Sequence, residues 1–255
     1  EAGPAEPAEP ADPADDDGLH LVEPENPLPA ITADDLPPAQ RDAVARMGWT
    51  ILTPVQSRAI PYVMAGRDVM VQSKTGSGKT AAFVLPILAR IKPDEAVCQA
   101  LVLVPTRELA QQVFHDVEKL SAGTGVRPLS VYGGVGYGPQ LDGLRQGAHI
   151  VVGTPGRILD HLLRGTLKLN RLQFLVFDEA DRMLSMGFYP DMVAVHAYLP
   201  PRRTGFMFSA TYPPMVRKLA DQFLNHPGFL SLSTDIIHVE ETTHICYEVP
   251  AMDKD

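Results

Sequence analysis

Short apolar runs recur along this chain, separated by amphipathic stretches of helical period. Asp68–Gln72, Ala100–Thr106, Leu129–Tyr132, His149–Gly153, Phe174–Phe177 and Gly205–Phe208 are near-continuous in Val, Leu, Phe and similar side chains. A strand with one solvated face alternates apolar and polar positions, whereas an unbroken apolar run suits a parallel sheet covered on both faces. The segments Arg107–Leu120, Pro139–Arg145, Gly156–Arg164 and Pro214–Leu224 read as helices, and Phe229–Leu232 as a further strand. Strand and helix alternating in this way predict an α/β fold, a doubly wound and mostly parallel sheet with helices on both faces. Ligands of such a sheet bind at the carboxyl ends of its strands.

Ahead of the first strand, Ala39–Met47 reads as a short helix stopped by Gly48. Thr53 followed by Pro54 has the form of an N-cap with proline at the first helical position, opening a second helix to about Met64. Gln56 then lies near that helix's start. An amide donates and accepts at once, which matches the N6 and N7 edge of adenine.

Composition divides the chain. Its net charge is −9, yet residues 1–40 contain eleven acidic residues and no Lys or Arg, leaving 22 basic and 20 acidic residues beyond them. The segment up to about Pro29 is mostly Ala, Pro, Glu and Asp and has no hydrophobic period. Such a segment cannot bury enough surface to offset its ordering entropy. The expected organisation is an acidic, unstructured tail over 1–30, one nucleotide-binding domain over 31–245, and the start of a linker over 246–255. A sharper reading makes the tail a polyanion mimic that competes for a nucleic-acid face.

Two cysteines, Cys98 and Cys246, without suitably spaced histidines point to neither a disulfide framework nor a zinc site. No apolar run reaches membrane-spanning length and no secretory signal opens the chain, so the expected setting is cytoplasmic, with no membrane partner. The chain begins at Glu1, which is expected of a piece of a longer protein.

The chemistry gathers where the predicted strands end. Asp68–Gln72 runs into Ser73-Lys74-Thr75-Gly76-Ser77-Gly78-Lys79-Thr80 and then into the apolar Ala81–Leu85. Strand, glycine-bearing loop and helix form a nest of backbone N–H groups for phosphate oxygens, at the positive end of the helix dipole. Lys79 supplies a point charge for the β- and γ-phosphates, and the Thr80 hydroxyl is a ligand for Mg²⁺. Leu175-Val176-Phe177 leads into Asp178-Glu179-Ala180-Asp181. Asp178 is placed to hold Mg²⁺, usually through water, and Glu179 to orient or deprotonate the attacking water. Asp181 could tie this site to a neighbouring loop. One or two of these acids could equally cap the following helix. Ser209-Ala210-Thr211 ends another strand, and its hydroxyls could link the metal-and-water region to whatever moves on hydrolysis.

Three further strand ends carry donors suited to a sugar-phosphate backbone. These are Pro105-Thr106-Arg107-Glu108-Leu109-Ala110, Gly133-Gly134 and Thr154-Pro155-Gly156-Arg157. Each alone passes for an ordinary loop. Three on one sheet edge suggest a track for a single strand, held by its backbone with little sequence specificity.

In this order, these segments resemble the DEAD-box family of ATP-dependent RNA helicases, superfamily 2, from about Ile31 to the end of the chain. The resemblance implies the N-terminal RecA-like domain of such an enzyme. It implies that Gly48–Gln56, Trp49 included, recognises adenine with Gln56 reading the base. It further implies that Lys79 and Thr80 bind phosphate and Mg²⁺, that Asp178 and Glu179 serve metal and water, and that Ser209 and Thr211 couple hydrolysis to strand separation. Thr106, Arg107, Gly134, Thr154, Gly156 and Arg157 belong to segments that would hold single-stranded RNA. Ile31 stands where the family usually has an aromatic residue packing on adenine. Trp49, Leu52 and Ser73-Lys74 replace the more common Phe or Tyr, Pro and Ala-Gln. The resemblance also implies a second RecA-like domain carrying further γ-phosphate contacts. This chain alone is therefore expected to be a monomer that binds nucleotide weakly and hydrolyses it poorly. An ATP-dependent RNA clamp with little turnover and a superfamily 2 motor acting on DNA are the alternatives.

Overall fold

The computed structural model describes residues 19–234. Among them eight strands form one sheet: β1 (Leu19–Val22), β2 (Val69–Gln72), β3 (Ala100–Leu103), β4 (Pro128–Val131), β5 (Ile150–Gly153), β6 (Phe174–Asp178), β7 (Thr204–Ser209) and β8 (Gly228–Thr234). The spatial order is β1-β8-β2-β7-β6-β3-β5-β4. Strands β2 to β8 run parallel. The helices are α1 (Pro38–Arg46), α2 (Pro54–Met64), α3 (Lys79–Leu88), α4 (Arg107–Leu120), α5 (Gly138–Arg145), α6 (Pro155–Leu163), α7 (Ala180–Ser185), α8 (Tyr189–His196) and α9 (Pro214–Phe223).

The unbroken apolar runs become strands buried along their whole length, as β3, β5, β6 and β7 show. Their period of two divides the core into two layers. Val102, Val176, Phe206 and Phe208 face one way, against apolar residues of α1 to α4. Leu101, Leu175, Phe177 and Met207 face the other way, against α6 to α9. Aromatic contacts tie a helix to each face, Phe83 to Phe208 with centroids 5.4 Å apart and Phe177 to Phe223 at 5.0 Å. Among the described residues no helix is long and apolar enough to cross a membrane.

One expectation needs correction. Leu19–Val22, inside the segment expected to lack structure, is β1, paired antiparallel to β8 with Leu19 opposite Thr234 and Val22 opposite Ser231. It covers an edge that would otherwise present unpaired backbone groups. The following residues lie along α2. Glu23 pairs with Arg58 at 3.0 Å, Arg67 donates to the Asn26 carbonyl at 2.9 Å, and the Leu28 N–H donates to Tyr62 Oη at 3.0 Å. Four apolar-rich residues against an Ala, Pro, Glu and Asp background are too few to give a periodic signal; their partner strand lies some 210 residues away in sequence. Residues 1–18 and the expected linker 246–255 lie outside the described residues.

The parallel arrangement positions the site. Every carboxyl terminus of β2 to β8 falls on one edge of the sheet, so the phosphate loop, Asp178 and Ser209 follow the adjacent strands β2, β6 and β7.

Candidate nucleotide site and nucleic-acid edge

The phosphate loop leaves β2 still bound to the sheet, with the Ser73 N–H donating to the Ser209 carbonyl at 3.1 Å. Lys74, Thr75 and Gly76 are exposed at its tip, while Ser73 and Lys79 are buried. Gly78 caps α3 in a left-handed conformation, φ 90° and ψ 21°, which turns the loop into the helix. The first N–H groups of α3 therefore open onto the loop without intrahelical partners. Lys79 Nζ lies 3.5 Å from the Ser73 carbonyl and 3.9 Å from Asp178 Oδ1.

Gln56 reaches this loop directly. Its Oε1 accepts from the Thr53 N–H at 3.0 Å and its Nε2 donates to the Gly78 carbonyl at 3.1 Å. The side chain joins the start of α2 to the phosphate loop, and one donor and one lone pair remain for a base. Trp49 is half-buried and packs against the core, with its N–H on the Val44 carbonyl at 3.2 Å. Ile31 also packs against the core, and its N–H donates to the Ser57 carbonyl at 3.1 Å.

Asp178 ends β6 deep in the domain. Its Oδ1 is buried and has no hydrogen-bond partner. Burial pushes its carboxyl up to about 6, with Lys79 pulling it down and Glu179 pushing it further up. Glu179 sits at φ 57° and ψ 52°, a left-handed conformation that non-glycine residues adopt at a cost, and turns the chain sharply into α7. Its Oε2 accepts from Arg182 Nη1 at 3.2 Å. Asp181 joins two strand ends. Its N–H donates to Ser209 Oγ at 3.2 Å, and its Oδ2 accepts from the Thr211 N–H at 3.0 Å and Thr211 Oγ1 at 2.9 Å. Burial opposes ionisation of Asp181, but hydrogen bonds to the carboxylate from the side chains of Thr211 and Ser209 and the N–H groups of Thr211 and Arg182 outweigh it and hold its carboxyl below the ordinary value.

The raised Asp178 carboxyl has a consequence for stability. The folded chain binds this proton more tightly than the unfolded chain, whose carboxyl titrates near the ordinary 3.8. The group's contribution to stability is complete below about 4 and is lost as pH rises through about 6. The melting temperature of Asp178→Asn is expected to shift relative to wild type in the variant's favour between pH 5 and pH 7. Parallel melting curves across that range would show that burial does not raise this carboxyl.

The other strand ends meet as neighbours, because β3, β5 and β4 adjoin. Thr106 caps α4 by accepting from the Leu109 N–H at 3.2 Å, and Arg107 is exposed and paired with Glu108 at 3.1 Å. A Cβ at Gly134 would lie 3.7 Å from Arg107 Nη1, so the Gly133-Gly134 turn stands beside this arginine. The Thr154 N–H donates to the Val131 carbonyl at 3.1 Å, and Thr154 caps α6. Gly156 follows on the first turn, half-buried, and Pro105 and Pro155 are buried. The prolines shape the turns into their helices and offer little surface of their own.

Arg157, expected as a backbone contact, is held by several groups of its own domain. Its Nη1 and Nη2 both donate to the Val135 carbonyl at 3.2 Å, and its side chain is only 10% exposed. Its guanidinium and that of Arg164 each lie 4.2 Å from the centre of the Tyr137 ring, and Tyr137 Oη donates to Asp160 Oδ2 at 2.8 Å. Buried Gln140 donates to the Tyr132 carbonyl at 3.1 Å and sets its Oε1 3.1 Å from His161 Nε2. These contacts hold Arg157 against the loop after Gly133-Gly134. Sequence reasoning missed Tyr137, Gln140, His161 and Arg164. Arg157 and His161 share a helix face at i,i+4 spacing, which was legible, but the ring between two guanidinia belongs to a different element.

These features define an α/β phosphate-loop domain with a buried acid opposite the loop and a cluster of strand-end turns beside it. A family model described as DEAD/DEAH box helicase matches residues 53–219, and the chain belongs to that family. It is 44% identical over 227 residues to the ATP-dependent RNA helicase DeaD of Haemophilus influenzae, covering 88% of this chain and 37% of the relative. It is 42% identical over 207 residues to the DEAD-box ATP-dependent RNA helicase CshA of Geobacillus kaustophilus, covering 81% and 44%. With the ATP-dependent RNA helicase DeaD of Mycobacterium tuberculosis it shares 48% identity over 186 residues, 72% of this chain and 33% of the relative. The chain spans less than half the length of these relatives.

Proposed function

We propose that this chain is the ATP-binding RecA-like domain of an ATP-dependent RNA helicase. In the whole protein, ATP binding and RNA-stimulated hydrolysis would drive local unwinding of RNA duplexes or remodelling of RNA–protein complexes. The observation that carries this reading is the meeting of the phosphate loop, Asp178-Glu179 and the Asp181–Ser209–Thr211 bonds at the ends of the adjacent strands β2, β6 and β7.

In this reading the phosphates take the loop N–H groups and Lys79 Nζ, which turns from the Ser73 carbonyl toward them. Gln56 adds the adenine edge to its existing bonds. Glu179 orients or deprotonates the attacking water. Asp181 relays the state of the site through Ser209 and Thr211 to the surface. The residues fit a divalent cation. Asp178 Oδ1 is a buried acceptor without a hydrogen-bond partner, with Lys79 Nζ 3.9 Å away, and Thr80 follows Lys79 on α3, its side chain hydrogen-bonded to Asp116. Mg²⁺ held by Asp178, Thr80 and phosphate oxygens would neutralise phosphate charge. Since ionised Asp178 is the ligand, the Mg²⁺-dependent part of nucleotide affinity is expected to fade as pH falls through about 6.

RNA would lie along Thr106, Arg107, Gly133, Gly134, Thr154 and Gly156, held by its backbone, with Arg157 setting the loop. A second RecA-like domain would complete both the γ-phosphate site and the RNA clamp, and the setting would be cytoplasmic. The domain boundaries proposed are an acidic segment through residue 18, the RecA-like domain from 19 to about 245 including β1, and the linker beyond.

The test is binding of fluorescent ADP to this chain with GDP as competitor, comparing wild type with Gln56→Ala. The expected result is roughly tenfold weaker binding in the variant, from lost base and loop bonds, and failure of GDP to compete. Equal competition by GDP would refute adenine selectivity.

A further inference from the structure

The edge opposite the nucleotide carries chemistry of its own. There the loops entering β3, β6 and β7 gather Arg90, Lys92, Arg171, Arg202 and Arg203 around two adjoining grooves of about 640 and 420 Å³. The two share Gln173, Pro201 and Arg202 in their walls. Glu95 is the one carboxylate lining either groove, and both Lys92 and Arg171 hold it at 3.0 Å. Asp68 lies nearby but is buried, with its oxygens on the Gly205 N–H at 2.9 Å and the Asn225 N–H at 2.7 Å. Arg203 is fixed by the carbonyls of Pro200 and Phe223, each at 2.9 Å. Arg90 and Arg202 are exposed, and among the described residues no carboxylate lies within ion-pair distance of either.

A groove with two guanidinia outside any ion pair among the described residues, Arg90 lying over the Phe174 ring at 5.2 Å, and with amide and hydroxyl donors in its walls suits an anion with several acceptor oxygens. Guanidinium forks match phosphate geometry, and backbone phosphates are held by such donors without reading sequence. The chain's own acidic residues are the less suited occupant. The β1 register sets Leu19, the first described residue, beside Thr234 at the carboxyl edge, across the sheet from this groove.

We propose that the groove formed by Arg90, Arg202 and Arg203 binds backbone phosphates of an RNA strand, as a second contact on the far edge of the sheet from the nucleotide. The proposal rests on the reading of the chain as an RNA-handling domain. It places a second foothold where a longer RNA passes around the domain, and predicts tighter binding of long strands than the carboxyl edge alone provides.

The experiment is a salt titration of binding to a labelled single-stranded RNA of about 30 nucleotides, longer than one domain's usual footprint of about 4–16 nucleotides. Wild type is compared with Arg90→Gln/Arg202→Gln, both with and without residues 1–18, and fluorescent ADP binding verifies the fold. Two lost phosphate contacts are expected to reduce the slope of log K against log salt by about 1.4, and affinity at low salt by about five- to tenfold. An unchanged slope, with RNA still bound, overturns the groove and leaves the carboxyl-edge reading standing. Absence of RNA binding by wild type overturns the groove, which needs no second domain. An equal loss from Arg41→Gln/Lys119→Gln reports net charge alone and overturns the proposal. An effect seen only while residues 1–18 are attached assigns the groove to the acidic segment and overturns RNA as its occupant.

Discussion

Replacing Lys79 by alanine is expected to weaken binding of Mg²⁺–ADP to this chain by about 150-fold. The ammonium is buried between the Ser73 carbonyl and Asp178, so its field at the loop is little screened by solvent. Removing one buried, hydrogen-bonded charge from an anion site costs about 3 kcal/mol, which is the stated factor. The substitution has a second signature. Asp178 loses the cation that pulls its carboxyl down, so that carboxyl moves further above its value of about 6. Calorimetric titration with ADP, and melting curves against pH, check the two effects separately. Affinity within threefold of wild type would mean that Lys79 does not face the phosphates.

Gly78→Ala is expected to lower stability by about 3 kcal/mol and the melting temperature by about 10 °C, given the size of the domain. Two causes add. The residue sits at φ 90°, where a side chain crowds its own backbone. A Cβ there would also stand 2.7 Å from Gln56 Nε2 and 3.0 Å from Thr53 Oγ1. Gln56 cannot withdraw freely, because its side chain is bonded to the Thr53 N–H and the Gly78 carbonyl. The loop must shift, and nucleotide binding should fall with it. Gly76→Ala is the control. It has a similar φ of 76°, but a Cβ there meets nothing within 4 Å, so only the backbone strain of about 1 kcal/mol applies. Equal losses from both substitutions would remove the contact with Gln56 as a cause.

Much of this was legible along the chain because its causes are local. Asp68–Gln72 followed by Gly76, Gly78 and Lys79 specifies strand, loop and helix within a dozen residues, and Thr53-Pro54 starts α2 where capping chemistry requires. The helix α8 was not anticipated, because it follows the short α7 across Met186-Gly187-Phe188. β1 was hidden for a related reason, as four residues gain strand structure only from a partner near the far end of the domain. The surroundings of Arg157 were hidden too, since nothing near it in sequence announces the Val135 carbonyl and the Tyr137 ring that it meets.

By itself, then, the sequence determined most of the strands and helices, where the phosphate loop and the acids stand in them, and which family the chain resembles. Periodicity, caps and turn residues act over one to four positions, and those choices need no distant partner. Tertiary structure alone decided the strand order β2-β7-β6-β3-β5-β4, and with it which strand ends become neighbours. It decided that Gln56 would brace Gly78 and that Asp181 would hold Thr211. It also buried Asp178 beside Lys79 and gathered Arg90, Arg202 and Arg203 at the opposite edge. Such contacts form between residues brought together only when the two apolar faces of the sheet are covered. Burial then sets the strength of each charge, and no single stretch of sequence contains that information.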